Sequence, residues 1–224
     1  MTRIALTGAA GNVGRELLDA FDDADLVPFT HSEHDDIDGE LLDVTDAEEV
    51  RGKLDGFDVV VHLAGASSPS ADWEAVSETN IEGTKHVLDA AVGNGIDRVV
   101  FASSNHAVGT YNAEGDDPEV MTAGYAEKVD GDAPTRPDSF YGASKAACEG
   151  LTKYYAGVRG LEVVNLRIGW YMTPETLRGT VAEAEPGRAR FARAMWLSPH
   201  DCRDVHRTAA TADLPEPAVT VNAV

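Results

Sequence analysis

The stretch 5-ALTGAAGNVGRELL-18 decides the fold. It sets Gly8, Gly11 and Gly14 between an apolar run, 2-TRIALT-7, and a helical segment, 12-NVGRELLDAF-21. A strand, a glycine turn and a helix in that order suit phosphate chemistry for three reasons. Glycine permits the tight turn, lets backbone approach a pyrophosphate closely, and lets the helix pack hard against the strand. The helix start then offers free N–H groups and the positive end of its dipole. Gly8, Gly11, Asn12, Val13 and Gly14 are therefore the residues expected to hold the phosphates of a dinucleotide. Loops also collect glycine for purely structural reasons. Placed at a strand-to-helix junction, the binding reading is the stronger one.

Outward from this turn, apolar strands alternate with helical segments. Strands are expected at 25-DLVPFT-30, 40-ELLDV-44, 58-DVVVHLA-64, 97-DRVVFAS-103 and 161-LEVVNLRI-168. Helices are expected at 46-DAEEVRGKL-54, within 71 to 93, and from about Ser139 to Arg159. Several strands are unbroken Val/Ile/Leu/Phe runs, the pattern of a sheet covered on both faces. Such alternation implies βαβ units, hence an α/β, Rossmann-like doubly wound parallel sheet with helices on both faces and a small substrate-covering C-terminal portion. No internal repeat or linker interrupts it, so one domain over 1–224 is expected. Two segments break the rhythm: the acidic, Gly/Pro-containing connection 110–139, and the region from Trp170 to about Pro217. Long loops in compact domains are usually functional or disordered, so 110–138 reads as a substrate lid. The tail 218-AVTVNAV-224 is apolar.

Charge narrows the partners. Asp plus Glu number 39 against 18 Lys plus Arg, a net charge of −21. That excess repels nucleic acid and anionic membranes, so neither is expected as a partner. The acids are spread along the whole chain and lysine is scarce (Lys53, Lys85, Lys128, Lys145 and Lys153). This balance resembles proteins of salt-loving archaea, in which salt screens self-repulsion. No run approaches the ~20 apolar residues of a membrane helix. The opening residues enter a strand directly, so no signal peptide is expected. Cys148 and Cys202 show no CxxC or Cys/His clustering, which disfavours a disulfide framework or metal site and fits a reducing cytoplasm.

The second chemical motif is 141-YGASK-145, opening the helix after the long connection. Residues four apart share a helix face, so Tyr141 and Lys145 meet. An ammonium beside a phenol favours the phenolate and should lower its pKa from ~10, leaving a general base for a hydroxyl whose carbon loses hydride. The bland alternative is an amphipathic helix with a packed tyrosine and a solvated lysine. The preceding apolar strand ends in 101-FASSNHAVG-109, where polar side chains crowd the expected ligand edge of a parallel sheet. Cys148 reads as core packing.

Taken together, the GxxGxxG turn, the serine-terminated strand and YxxxK resemble the short-chain dehydrogenase/reductase superfamily in its extended branch. The resemblance implies Ser104, Tyr141 and Lys145 as the catalytic set, with Ser103 a structural neighbour. It implies that Asp43 and Val44 contact adenine, that Leu63, Ala64 and Gly65 pass beside the ribose, and that Asn80 of 80-NIEGT-84 and Ile168 complete the coenzyme site. That branch usually ends its second strand in an acid that selects NAD. Here 29-FTHSEHDD-36 offers Thr30, His31 and Ser32, with no arginine to receive a 2′-phosphate. Ser32 is expected at the ribose, NAD is the expected coenzyme, and NADP is the alternative.

Asn105 and His106 narrow the likeness further. SSNH, 136-RPDSFYGASKA-146, 163-VVNLRIG-169 and 193-RAMWLSPHDC-202 resemble uronate dehydrogenases and the haloarchaeal NAD-dependent glucose-6-phosphate dehydrogenases. The resemblance implies oxidation of a sugar's C1 hydroxyl to a lactone, with Ser67, Asn105, His106 and Arg167 binding substrate and Arg167 anchoring an anionic far end. The bland reading of Arg167 is a salt bridge within an acidic protein. Trp170 and Tyr171 stand where uronate dehydrogenases carry small residues, implying a reshaped pocket. No basic residue flanks Ser67, although Arg190 and Arg193 could reach a phosphate. The sugar is the expected partner, with a homo-oligomer possible. The rival readings are a nucleotide-sugar epimerase or dehydratase, which needs a larger C-terminal lobe than 224 residues allow, and a non-catalytic coenzyme-binding regulator, a class that generally loses the Tyr or Lys retained here.

Overall fold

The computed structural model describes residues 1–112 and 129–224. Its strands are β1 (Arg3–Thr7), β2 (Asp25–Thr30), β3 (Glu40–Leu41), β4 (Val59–His62), β5 (Arg98–Ser104), β6 (Glu162–Ile168), β7 (Trp170–Tyr171), β8 (Trp196–Leu197) and β9 (Ala218–Ala223). Seven of them form one sheet in the order β3-β2-β1-β4-β5-β6-β9, and β7 pairs with β8 in a second. Every pairing is parallel.

The parallel sheet follows from how the strands bury their side chains. Successive residues of a strand face opposite ways, and here both faces are apolar. Ala5, Val60, Val99 and Val163 join one core, with Val50, Leu54, Val87, Leu88 and Tyr155. Ile4, Leu6, Val59, Val61, Val100 and Val164 join the other, with Leu17, Cys202, Ala209 and Ala210. The first core is covered by α2 (Ala47–Lys53), α4 (Gly83–Asn94) and α5 (Phe140–Arg159), and the second by α1 (Asn12–Leu17) and α8 (Pro199–Thr211).

Some boundaries differ from the sequence reading, for local reasons. The second-strand partner is shorter than 40–44: after Leu42 donates to the Thr30 carbonyl (2.8 Å), Asp43 turns the chain by accepting from the Thr45 N–H (2.9 Å) and hydroxyl (2.8 Å). The first helix stops at Leu17 rather than Phe21. The helix within 71 to 93 is composite: α3 (Trp73–Ala75), a π-helical segment Val76–Glu82, then α4, ended by Gly95 at φ 74°. Asp72 caps it by accepting from the Ala75 N–H at 2.9 Å.

The tail 218–224 supplies the seventh strand of the sheet. Between β7 and β9 lie α6 (Pro174–Glu183) and α7 (Pro186–Ala194) as well as α8, each opened by a proline in its first turn. The expected lid at 110–138 falls largely outside the described residues. Its described flank lies against the sheet end, where Arg136 N–H donates to the Ala107 carbonyl (2.9 Å) and Asn222 to the Val129 carbonyl (2.8 Å).

Strand order reverses at β1, with β2 on one side and β4 on the other. A crevice opens there, beyond the carboxyl ends of the strands, where open α/β sheets bind ligands.

Candidate active site

A cavity of about 640 Å³ occupies this crevice, between the glycine turn, the residues after β2, Asp43–Thr45 and Leu63–Ser67. Gly8 and Gly14 are sterically obliged to be glycine. Gly8 has φ 71°, and a Cβ there would lie 2.7 Å from the Ala64 nitrogen. A Cβ on Gly14 would lie 2.7 Å from the Ala9 Cα and would strike the Gly8 carbonyl. Gly11 caps α1 without any side-chain hydrogen bond, so no side chain blocks the first-turn N–H groups. A smooth, side-chain-free cradle beside an uncapped helix start fits a pyrophosphate.

The remaining expected coenzyme residues gather around it. Ser32, Asp43, Val44, Leu63, Ala64 and Gly65 line the long cavity. Asn12, Val13, Gly14 and Ile168 line an adjoining pocket of about 250 Å³, which also reaches Ser104, Tyr141 and Lys145. Hydrogen bonds to Thr45 hold the Asp43 carboxyl below its ordinary range. Asn80, 1% exposed, does not line either space. Its Oδ1 accepts from the Ala66 N–H (2.7 Å) and its Nδ2 donates to the Ser144 hydroxyl (2.9 Å). It splints the cavity wall to α5 from the π-helical segment, a local irregularity often found at functional sites.

Strand β5 and helix α5 deliver the chemical groups. Ser139 caps α5 by accepting from the Gly142 N–H at 3.0 Å, which starts the helix beside Ser104 and sets Tyr141 and Lys145 on its inner face. The Ser104 hydroxyl hydrogen-bonds the Tyr141 side chain. Lys145 is 4% exposed, with Nζ 4.9 Å from the Phe101 ring centre and 5.8 Å from that of Tyr141. Among the described residues no carboxylate pairs with it, and burial pulls its pKa down to about 8. The expected lowering of the Tyr141 pKa is not found in the protein alone. Burial raises it, and the Ser104 hydrogen bond opposes that rise. The cause is geometric: the ammonium rides over aromatic rings rather than on the phenolic oxygen. Cys148 is buried, donating to the Asn80 carbonyl at 3.2 Å, and its thiol is pushed up by burial.

A second cavity of about 660 Å³ opens on the other side of Tyr141, lined among others by Ser67, Ser104, Asn105, His106 and Trp170. His106 is fixed by the Asp138 carboxylate, 2.8 Å from Nδ1, and lies edge-on to the Tyr141 ring. Nδ1 is thereby the donor and Nε2 is left to accept in a neutral ring. Asn105 accepts from the Ser104 hydroxyl at 3.3 Å.

Arg167 is the clear correction. It is 1% exposed and lines neither cavity near Tyr141. Its Nε and Nη2 each lie 2.9 Å from the Glu149 carboxylate, and Nη1 and Nη2 also donate to the Asp130 and Ala133 carbonyls at 3.2 Å. A guanidinium so occupied cannot anchor a sugar acid. Ser103 completes the group by donating to Glu149 at 2.6 Å. The sequence reading missed Arg188 and Phe191 of α7, which do line the substrate cavity; Arg188 stacks 5.3 Å from the Trp170 ring centre. The arginine spacing in 186-PGRARFARA-194 was the available signal.

A larger depression, about 1050 Å³, lies at the amino ends of the strands. Its central cation is already satisfied: Arg98 bonds Glu162 and the carbonyls of Ala209 and Ala212. It is remote from the groups above.

Known proteins resemble the chain along its whole length. Residues 4–188 match the model of the NAD dependent epimerase/dehydratase family. An L-arabinose 1-dehydrogenase (NAD(P)(+)) of Haloferax volcanii is 48% identical over 226 residues, spanning 100% of this chain and 88% of that protein. The NAD-dependent glucose-6-phosphate dehydrogenase of Haloferax volcanii is 37% identical, over 94% of this chain and 80% of the relative. Among solved structures, a mutant uronate dehydrogenase from Agrobacterium tumefaciens complexed with NAD superposes with a TM-score of 0.75 at 28% identity, covering 99% of this chain and 77% of that one.

Proposed function

The chain belongs to the NAD-dependent epimerase/dehydratase family, and from that premise we propose that it is an NAD(P)-dependent sugar dehydrogenase that oxidises the C1 hydroxyl of an aldose to a lactone. The observation that carries the reading is the wall made by Ser104 and Tyr141, which separates a glycine-floored cleft from a cavity of about 660 Å³, roomy enough for a sugar and carrying the polar groups of Ser67, Asn105 and His106 beside the rings of Trp170 and Phe191. Support comes from relatives whose names specify NAD(P)-dependent oxidation of sugars.

When bound, NAD(P) supplies the acceptor for the hydride leaving C1. Gly8, Gly11, Asn12, Val13 and Gly14 would hold its phosphates, with Asp43, Val44, Leu63, Ala64, Gly65 and Ile168 along its length. In the protein alone burial favours the Tyr141 phenol; with the positive charges of Lys145 and the bound coenzyme beside it, Tyr141 ionises and its oxygen takes the C1 hydroxyl proton, whose loss with the hydride leaves the carbonyl of a lactone. Ser104 turns its one hydroxyl proton from Asn105 to the same sugar oxygen and holds that oxygen against Tyr141. Lys145, buried and uncompensated, keeps a positive field on this wall. Asn105 and His106 Nε2 read sugar hydroxyls, and Ser67 faces them across the cavity. Among the described residues, Arg167 is committed to Glu149 and the cation that lines the cavity is the exposed Arg188, a weaker anchor for an acid group than a buried one, which favours a neutral aldose over a uronate. The dispersed acidity suits a salt-rich cytoplasm, with no nucleic acid or membrane partner.

A panel of L-arabinose, glucose, glucose 6-phosphate and glucuronate, assayed in high salt with NAD and NADP, tests the reading. Reduced coenzyme should accumulate fastest with a neutral aldose. No turnover of any sugar would overturn it.

A further inference from the structure

Strand β7 is two residues long, and successive side chains of a strand point opposite ways. Trp170 lines both the sugar cavity and the adjoining coenzyme pocket, with the Phe191 ring centre 6.4 Å away and Arg188 stacked on its face. Tyr171 packs against the core that α1 and α8 cover, and it does not line the sugar cavity. Backbone bonds alone hold so short a strand poorly. Trp170 donates to the Met195 carbonyl at 2.5 Å and Met172 to the Leu197 carbonyl at 3.3 Å. Side-chain anchors therefore decide where Trp170 stands.

One such anchor crosses most of the sequence. The Tyr171 hydroxyl donates to Glu16 Oε2 at 2.5 Å. Glu16 lies in α1, just past the glycine turn, and Arg203 of α8 holds its other oxygen. The Glu16 side chain is 16% exposed, so this charge-assisted bond is largely shielded from water and is stronger than one between neutral groups. Burial, and then the carboxylate, push the Tyr171 phenol above its ordinary range, which keeps it a donor. A single link thus runs from the helix whose start forms the coenzyme cradle to the strand that carries Trp170.

We propose that Glu16 is a positioning residue that pins β7 through Tyr171, so that Trp170 stands as a fixed wall against the sugar. This rests on the reading of that cavity as a sugar site. Glu16 lines neither the sugar cavity nor the coenzyme pocket, and the Tyr171 hydroxyl is spent on Glu16. The link acts only through the placement of the strand. A wall that is already ordered spares the sugar the cost of ordering it, which shows in affinity for the sugar and not in the rate of the chemical step.

The test is steady-state kinetics on the full chain, with each sugar of the panel varied at saturating NAD⁺ and then NAD⁺ varied at saturating sugar. Tyr171→Phe should raise the sugar KM about fivefold, within the worth of one charge-assisted bond, with kcat and the KM for NAD⁺ within about twofold. Glu16→Ala should reproduce that split, and the double variant should be no worse than either single one, because all three break the same link. Glu16→Gln, which keeps an oxygen for the Tyr171 hydroxyl, should restore the sugar KM to within about twofold of the wild type. Thermal melts on the same preparations separate the role from plain stability. A variant that melts earlier but keeps the wild-type sugar KM would overturn the positioning role, as would equal rises in KM for sugar and NAD⁺. Absence of turnover in the wild type would overturn the dehydrogenase reading and the positioning role with it.

Discussion

One turn apart on α5, Lys145 and Glu149 belong to two neighbouring regions that treat a buried cation in opposite ways. Lys145 is buried with aromatic rings for company and, among the described residues, no carboxylate partner, and its pKa falls to about 8. Arg167, equally buried, is clasped by Glu149, two backbone carbonyls complete its bonding, and Ser103 holds the same carboxylate. A paired buried ion is a structural device whose halves depend on each other. An unpaired one costs stability and is kept where its field is used. The adjacent serines of β5 divide in the same way, Ser103 toward the ion pair and Ser104 toward Tyr141.

The largest expected effect falls on the unpaired side. Lys145→Met should lower kcat/KM for the sugar by about 100- to 10,000-fold, the range of positioned acid–base groups, with thermal stability unchanged or raised. A loss of stability without loss of turnover would break the contrast. On the paired side, Glu149→Ala leaves the Arg167 charge buried and uncompensated, which should cost about 3–5 kcal/mol in denaturant unfolding. Turnover per folded molecule should stay within a few-fold, and a specific collapse of kcat would move Glu149 into the active site.

Acid exposes a third treatment of buried bases, which is to keep them neutral. His62 sits between the Thr7 and Thr84 hydroxyls, and burial, aided by the Lys145 charge, lowers its pKa to about 3. His206 is lowered to about 4 by burial, and its Nε2 has no partner among the described residues. Both folded values lie below the ordinary 6.5, so the unfolded chain takes up protons first. The stability they provide is complete above pH 6.5 and is lost as pH falls toward 4, by roughly 1–3 kcal/mol per pH unit. Thermal melts at pH 7.5 and 5 check this, and equal midpoints would contradict it. The smallest effect separates the two serines: Ser103→Ala should cost about 1 kcal/mol of stability and little activity, while Ser104→Ala should do the reverse.

Much of this was legible in the sequence wherever the signal was local. The strand-turn-helix at 5–18, the unbroken apolar strands and YGASK each carry their meaning within a few residues. What escaped depends on long-range pairing. Arg167 reads as a ligand until Glu149, which is 18 residues away, is seen to clasp it. Arg15 meets Asp36 only because the turn after β2 folds back over α1. Arg188 and Phe191 reach the cavity through the β7–β8 pairing of Trp170 with Trp196, two residues that nothing local marks as partners. Tyr141 escaped in a different way: spacing placed it beside Lys145, but only burial decides that its pKa rises.

Tyr141 acts as the base in this mechanism, and Tyr141→Phe removes that function alone, because it deletes one oxygen and keeps the ring against His106. Sugar-dependent production of reduced coenzyme and calorimetric NAD⁺ affinity should be measured on the same preparation. Turnover should fall to background while the dissociation constant for NAD⁺ stays within about threefold, since the ring packing is preserved. Undiminished turnover in this variant would contradict the mechanism.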